Sequence, residues 1–154
     1  MNNSFEFIRF LCTGALGVFA GAMLTEGLVL VPYWRLLPPA EFLTWYAANG
    51  QRLLGYFGPL TWLAGLLAIA AALVSLWQSH PGRWPALLAA VLMFAVVSTF
   101  YLYFRNANAS FATASLPVEK VAGELKRWAG WHWWRTCLSF LALAAGLMSL
   151  GRIK

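Results

Sequence analysis

The stretch Arg127–Thr136, RWAGWHWWRT, decides how the fold is read. It lies where a polar connector meets the last long apolar segment. On a helix, Trp128, His132 and Arg135 follow one another at i, i+4 and i+7 and share one stripe. Arg135 would stand about one turn inside the membrane edge, where an ionised group is costly without a partner. The stretch indicates a membrane helix that begins with a functional site, although an interfacial aromatic belt has the same composition.

The composition indicates the class of protein. Of 154 residues, 61% are hydrophobic and 10% are charged, whereas soluble domains average about one half and one quarter. The sequence therefore predicts a single domain, residues 1–154, within the lipid bilayer. The net charge of +6 is spread over connectors and ends, which favours juxtamembrane charge over nucleic-acid binding. All five acidic residues are Glu, so the position of each is informative.

Four apolar runs have the length that a membrane helix needs, about 20 residues. They predict an all-α, four-helix transmembrane bundle with spans at about residues 7–31, 59–78, 85–104 and 130–150. The polar segment Arg105–Asn108 is expected to close the third span. Pro117 is expected to open an extended helix that leads without a break into the last span.

The first connector reaches about residue 58 and is expected to contain a short amphipathic helix. Pro39 is a suitable first helical residue. Apolar Phe42, Leu43 and Tyr46 then recur at helical spacing. This pattern predicts a helix that lies on the membrane surface and ends near Gly50.

The even number of crossings predicts where the polar residues meet. With four spans, both long connectors lie on one face, together with the end of span one, the end of span three and the start of span four. Side chains from separate parts of the chain would converge there, as a site at the mouth of a helical bundle requires. The catalytic candidates are Glu26, His132 and Arg135, and the substrate-binding candidates are Asn49, Arg52, Tyr103, Asn106, Asn108, Trp128 and Trp131.

The same topology argues against several cofactors. His80 and His132 are expected on opposite faces, about 30 Å apart, so one chain does not hold a haem between them. Cys12 and Cys137 are separated by more than the roughly 7 Å between Cα atoms that a disulfide allows. Glu26 is the only carboxylate inside a span, too few for a di-iron site, and one His gives other metals too few ligands. The sequence predicts no metal and no cofactor.

The candidate residues suit a flat, lipophilic, acidic molecule that arrives from the membrane. Aromatic side chains would supply stacking and apolar burial. His132 is expected to take a phenolic or carbon-bound proton, and Arg135 to hold the resulting enolate or phenolate. Glu26 either orients His132 or compensates Arg135, and the sequence leaves both roles open.

Five motifs also carry a resemblance to a known family. They are G-x-x-x-G at residues 17–21, TEGLVLVP at 25–32, LPPAEF at 37–42, YFRNAN at 103–108 and R-W-x-x-W-H-x-x-R-T at 127–136. Together they resemble the anthrone oxygenase-like family of small four-helix membrane proteins over nearly the whole chain. The resemblance implies a four-helix bundle and cofactor-independent oxidation by molecular oxygen, as proposed for fungal members that turn an anthrone into an anthraquinone. One departure is His132, since that position in the family is often Asn.

Two classes of function follow. One is an oxygenase that acts on a lipophilic hydroxyaromatic; the alternative is a non-enzymatic membrane protein that binds a lipid or quinone or takes part in complex assembly. Transport is less favoured, because four spans with one acid and no pair of broken helices offer little to couple ions. The expected partners are the lipid bilayer, a lipophilic aromatic small molecule and a second copy of the chain, with no nucleic acid.

The expected location is the bacterial inner (cytoplasmic) membrane, with several crossings. The face that holds both chain ends carries Arg9, Arg83, Arg152 and Lys154, and its segments are short. Basic residues in short segments favour the cytoplasmic side. The N-terminus is therefore predicted to be cytoplasmic.

Overall fold

The computed structural model describes residues 3–151, all of whose regular elements are helical. Arg152 and Lys154, which the orientation prediction uses, lie outside this range. The elements in chain order are α1 (Asn3–Thr25), a π-helical turn (Glu26–Leu30), α2 (Val31–Leu36), α3 (Pro39–Trp77), α4 (Arg83–Thr99), a second π-helical turn (Phe100–Phe104), α5 (Arg105–Ala112) and α6 (Val118–Leu150).

These elements form four continuous helical stretches, each long and apolar enough to span a membrane: Phe5–Leu36, Pro39–Trp77, Arg83–Ala112 and Val118–Leu150. α1 packs against α3 and α6, and α4 packs against the same two helices. The stretches therefore form a bundle in which α1 lies diagonally opposite α4. The predicted four-helix bundle is confirmed, and the chain is a multi-pass membrane protein.

Two apolar cores fill the bundle. The core nearer the chain ends is rich in alanine, which lets membrane helices approach closely, and consists of Cys12, Leu16, Phe19, Met23, Ala64, Ala68, Ala71, Ala89, Met93, Val96, Ala142 and Ala145. The core nearer the connectors is aromatic and consists of Val31, Trp34, Phe42, Leu43, Tyr46, Phe104, Ala107, Phe111, Val121, Leu125, Trp128 and Ala129. The polar candidates of the fourth span lie where the two cores meet.

The first connector is helical except at Leu37 and Pro38, which corrects the sequence prediction. α3 begins at Pro39 as expected but continues through Pro59, so the short amphipathic helix is not a separate element. Pro59 removes the N–H that would bond the carbonyl of Gly55, a loss that membrane helices tolerate. The predicted second span is therefore the second half of one 39-residue helix.

The apolar face of that first half is buried inside the bundle. Phe42 and Tyr46 pack against Phe111 of α5, with ring centroids 5.0 and 5.4 Å apart. Aromatic pairs at such distances add to the free energy gained by burial. The two connectors thus pack against each other as a continuation of the bundle.

The first and third stretches are also longer than predicted. The third does not end at Phe104, because Arg105–Asn108 continue the helix to Ala112 and buried Ala107 and Phe111 anchor it. The first continues to Leu36. The last prediction is confirmed, since Val118–Leu150 is one unbroken helix.

The turn between α3 and α4 packs closely against the end of α6. A Cβ atom on Gly82 would lie only 2.2 Å from the backbone oxygen of Ser149. The backbone N–H of Gly82 donates a hydrogen bond to Nδ1 of His80 at 2.9 Å. Glycine at this position lets the turn and the last helix meet.

We predict that Gly82→Ala destabilises the bundle by about 1–3 kcal/mol, because the backbone of α6 must move to admit the methyl group. Thermal unfolding in detergent measures the effect. Gly14→Ala is the control, because a Cβ there meets nothing within 4 Å. Equal stability of the two variants would contradict the close approach.

We also predict that His80 makes stability depend on pH. Burial, followed by the nearby Arg9 cation, lowers the pKa of the His80 imidazole below its usual 6.5, against the opposing effect of Glu6. The folded chain therefore binds a proton at His80 less readily than the unfolded chain does. The contribution of neutral His80 to the free energy of unfolding is complete above about pH 6.5 and is lost as the pH falls below that value. When the pH is lowered from 7.5 to 5.0, the melting temperature of the wild type should fall further than that of His80→Asn. The Asn side chain keeps a hydrogen-bond acceptor but does not titrate. Equal falls in the two proteins would contradict the prediction.

Candidate functional site

The site centres on Arg135 of α6. Its Nη2 donates a hydrogen bond to Glu26 Oε2 at 3.0 Å, and the two side chains are 11% and 4% exposed. Its guanidinium carbon lies 4.4 Å from the centroid of the Phe104 ring, a cation–π contact. The charge of Arg135 is thus compensated by a carboxylate and an aromatic ring from two other helical stretches.

Two π-helical turns supply these partners. Glu26 is the first residue of one turn and Phe104 the last residue of the other. The N–H groups of Val31 and Arg105 bond the carbonyls of Glu26 and Phe100, five residues earlier. Such turns insert one residue into an α-helix and are frequent at functional sites. The two turns therefore flank Arg135.

His132 lies behind the ion pair. Its Nε2 is 2.9 Å from the carbonyl oxygen of Met23, and since a carbonyl only accepts, the geometry assigns the proton to Nε2. The remaining lone pair, on Nδ1, faces Arg135 Nη2 at 3.3 Å and Glu26 Oε2 at 3.5 Å. The ring is fully buried and stacks on Trp128, with centroids 5.2 Å apart.

The catalytic role expected of His132 stays a prediction, and this geometry favours a positioning role instead. A base that takes a proton from a substrate must present its lone pair to that substrate. The lone pair of His132 is directed instead at Arg135, so His132 is better described as a positioning residue. Gly27 allows the close fit, because a Cβ there would lie 3.1 Å from His132 Nε2.

A cavity of about 470 Å³ lies between α3, α4, α5 and α6 and reaches the ion pair. Its volume is within the range of small-molecule sites. Leu54, Trp62 and Tyr101 at its rim are 48%, 52% and 55% exposed, so the cavity opens on the apolar surface of the bundle. The aromatic lining residues are Tyr46, Phe57, Trp62, Phe100, Tyr101 and Trp128, and the polar ones are Glu26, Gln51, Thr61, Arg105, Asn108 and Arg135.

The structure brings four of the predicted site residues to this cavity. They are Glu26, Arg135, Asn108 and Trp128. The indole N–H of Trp128 donates to Asn108 Oδ1 at 2.8 Å. That bond fixes the aromatic wall beside the ion pair.

Tyr103 and Trp131 are outside the lining of the cavity. Their rings stack on each other, 5.2 Å apart, and the Tyr103 hydroxyl donates to Glu124 at 2.6 Å. Arg127 pairs with the same carboxylate. These side chains join the third stretch to α6 without reaching the cavity.

Asn49, Arg52 and Asn106 are also outside the lining. The Asn49 amide donates to the carbonyl of Trp45 at 2.9 Å, and Arg52 and Asn106 are exposed. The connectors are helices, in which each successive residue points about 100° away from the last. Arg52 and Asn106, which directly follow Gln51 and Arg105 in sequence, therefore point away from the cavity.

Sequence reasoning does not include Tyr46, Gln51, Phe104 or Arg105 among the candidate site residues. It assigns Tyr46 to a surface helix and expects Arg105 to close the third span. Arg105 carried a usable signal, because it is a lone cation at the end of an apolar run. The other three depend on helix directions that the sequence leaves open.

The fold and the cavity define a multi-pass membrane protein with a buried ion pair at one end of a lipid-facing cavity. Comparison with protein-family models, with curated proteins and with solved structures finds no match. Within residues 3–151, no group of three His, Cys, Asp or Glu side chains is placed to hold a metal ion, and Cys12 and Cys137 are free thiols. The resemblance to anthrone oxygenase-like proteins stays a prediction.

We predict strong coupling between Glu26 and Arg135. Arg135→Met alone leaves a buried, uncompensated carboxylate and should cost about 3–5 kcal/mol of stability. Adding Glu26→Leu should restore at least half of that loss, because the remaining charge is removed. A double-mutant cycle of unfolding free energies measures the coupling.

The exposed pair Glu124 and Arg127 is the control for that cycle. Arg127 has a side chain 64% exposed, and solvent screens such pairs. A double-mutant cycle of Glu124 and Arg127 should give a much smaller coupling free energy. Additive losses at Glu26 and Arg135 would contradict the buried ion pair.

Proposed function

We propose that this protein binds a lipophilic hydroxyaromatic molecule from the bilayer and oxidises it with molecular oxygen, without a bound cofactor. The observation that carries the proposal is the buried Glu26–Arg135 pair at the end of an aromatic, lipid-facing cavity. The resemblance of the sequence motifs to anthrone oxygenase-like proteins supports the same chemistry. The substrate class is a flat ring system with an acidic hydroxyl or ring-methylene hydrogen.

The walls of the cavity favour a flat ligand. Trp128 is held on its polar edge by Asn108 and on its face by His132. The ring of Trp34 packs edge-on against it, with centroids 5.4 Å apart. Trp128 is only 2% exposed, so these contacts make it a rigid wall at the buried end of the cavity.

Arg135 is the group that holds the anion of the substrate. Its Nη2 is occupied by Glu26, but its buried Nε has no hydrogen-bond partner within residues 3–151. A buried donor without a partner costs free energy, which a ligand oxygen would recover. An enolate or phenolate oxygen would form a charge-assisted hydrogen bond there.

Glu26 is the group that takes the proton, in place of His132. Among residues 3–151, it is the only one that brings a carboxylate to the lining of the cavity. It would accept a proton from a ring methylene, leaving the electron pair delocalised in the ring system and its oxygen. The carbanion adds molecular oxygen to form a peroxide, and loss of water leaves a carbonyl. The net change is CH₂ + O₂ → C=O + H₂O, and the proton returns from Glu26 to the departing water.

A second candidate function is non-enzymatic binding of a lipid or quinone. Glu26 and Arg135 compensate each other without a ligand, which also suits a receptor for a neutral molecule. The exposed apolar rim would admit such a molecule from the bilayer. This function predicts binding without consumption of oxygen.

We predict that the reconstituted protein accelerates oxygen uptake by 1,8-dihydroxyanthrone above the rate in protein-free vesicles. Glu26→Gln should lower kcat by about 10²- to 10⁴-fold, as removal of a general base does. Arg135→Lys keeps the charge but loses the Nε donor, and should lower kcat by about 10²-fold. Oxygen electrode traces and quinone absorbance measure both variants.

Two further variants keep the test independent of the ion pair. Gly58 lines the cavity, and its Cβ position is 3.9 Å from the nearest side-chain atom; Gly58→Leu should fill the cavity and abolish turnover. Gly55→Leu is its control, because Gly55 is outside the lining and a Cβ there meets nothing within 4 Å. Suppose that the wild-type protein binds the probe, that Gly58→Leu abolishes this binding, and that no oxygen is consumed. That result would favour the second candidate, non-enzymatic binding.

A further inference from the structure

We propose that the ligand of this cavity carries a permanent anionic group, and that Arg105 binds this group at the cavity rim. The inference rests on the proposed function, since it concerns the same cavity. It names a narrower class of ligand, lipophilic aromatic acids. It also assigns a specificity-determining role to Arg105.

The charges that line the cavity do not balance. Glu26, Arg105 and Arg135 are the charged lining residues. Glu26 and Arg135 pair with each other at 3.0 Å. Arg105 forms no salt bridge with any side chain within residues 3–151. The cavity therefore has one positive charge in excess, carried by Arg105.

The position of Arg105 directs that charge toward the ligand. Arg105 directly follows Phe104, whose ring lies under the Arg135 guanidinium. Asn108, three residues further along α5, and Gln51 of α3 line the cavity with it. Because the Asn108 carbonyl accepts from Trp128, its NH₂ group is the side that can donate. A cation and amide donors at one rim form a suitable site for a carboxylate.

An arginine at the end of a membrane helix commonly reaches the lipid headgroups instead. Arg52 serves as the comparison, because it is also exposed and lies in the same part of the bundle, one residue beyond Gln51. Arg52 does not line the cavity. If Arg105 only contacts headgroups, replacing Arg105 and replacing Arg52 should have the same effect on ligand binding.

The class of ligand follows from the two ends of the cavity. Its buried end offers the ion pair and the stacked rings, and its rim offers Arg105. A flat ring system with a carboxylate on one edge would place that carboxylate at Arg105 and direct the opposite, reacting edge toward Arg135 and Glu26. A neutral analogue would lose the contact with Arg105 and keep the stacking.

Binding of two probes to the protein in nanodiscs of zwitterionic phospholipid tests the inference. The probes are anthracene-2-carboxylate and neutral anthracene-2-carboxamide, followed by their own fluorescence anisotropy. The ratio of their Kd values in Arg105→Gln is compared with the ratio in wild type, so that differences in bilayer partitioning cancel. We expect Arg105→Gln to weaken the carboxylate at least tenfold and to leave the carboxamide within twofold, while Arg105→Lys retains part of the preference.

Arg52→Gln should leave the preference for the carboxylate unchanged. An unchanged ratio in Arg105→Gln, or an equal loss in Arg52→Gln, overturns the inference. Thermal unfolding of each variant confirms that it is folded. Oxygen uptake with uncharged 1,8-dihydroxyanthrone separates the two proposals: uptake without a carboxylate preference overturns only the role of Arg105, and a preference without uptake overturns only the oxygenase.

Discussion

A guanidinium inside a membrane bundle is the constraint on which the rest of this structure depends. An uncompensated charge inside a membrane bundle costs several kcal/mol, so Arg135 requires partners from its own helix and from the helices around it. Glu26 supplies the opposite charge, Phe104 a ring face and His132 a lone pair. A buried ion pair seldom stabilises a fold more than apolar residues of the same size would. Its presence therefore points to a chemical task, because alanine and leucine would hold the helices together without it.

The two π-helical turns show how the fold meets that constraint. In the third stretch, buried Thr99 is followed by buried Phe104, five positions later, whereas an α-helix would repeat after three or four. The extra residue turns Phe104 toward Arg135. The sequence does not reveal this shift, because every residue from Phe100 to Phe104 is apolar or aromatic and fits either register. Hydrophobic periodicity identifies a membrane span but not a change of phase within it.

The sequence predicted the depth of the site along the bundle axis better than the directions in which its side chains point. Counting four crossings placed Glu26, Asn108, Trp128 and Arg135 near one another, and these four line the cavity. The count gives depth alone. Asn49, Arg52 and Asn106 have suitable depth, but the helices direct them away from the cavity. The role of His132 needed the carbonyl of Met23, which assigns the proton to Nε2, and no pattern in a sequence locates a backbone carbonyl 109 residues away.

The position of His132 behind the ion pair has a physical reason. Its Nε2–H is anchored on α1, and its Nδ1 accepts from Arg135, so the imidazole ties the guanidinium to a second helix. A rigid donor suits the anion stabilisation that we propose, because preorganised dipoles need not reorient as charge develops. Low dielectric also strengthens each such contact. Asparagine could accept from Arg135 and donate to a carbonyl in the same way, so this positioning role does not require basic chemistry. In the function that we propose, the chemistry belongs to Glu26 and Arg135, and His132 keeps their geometry.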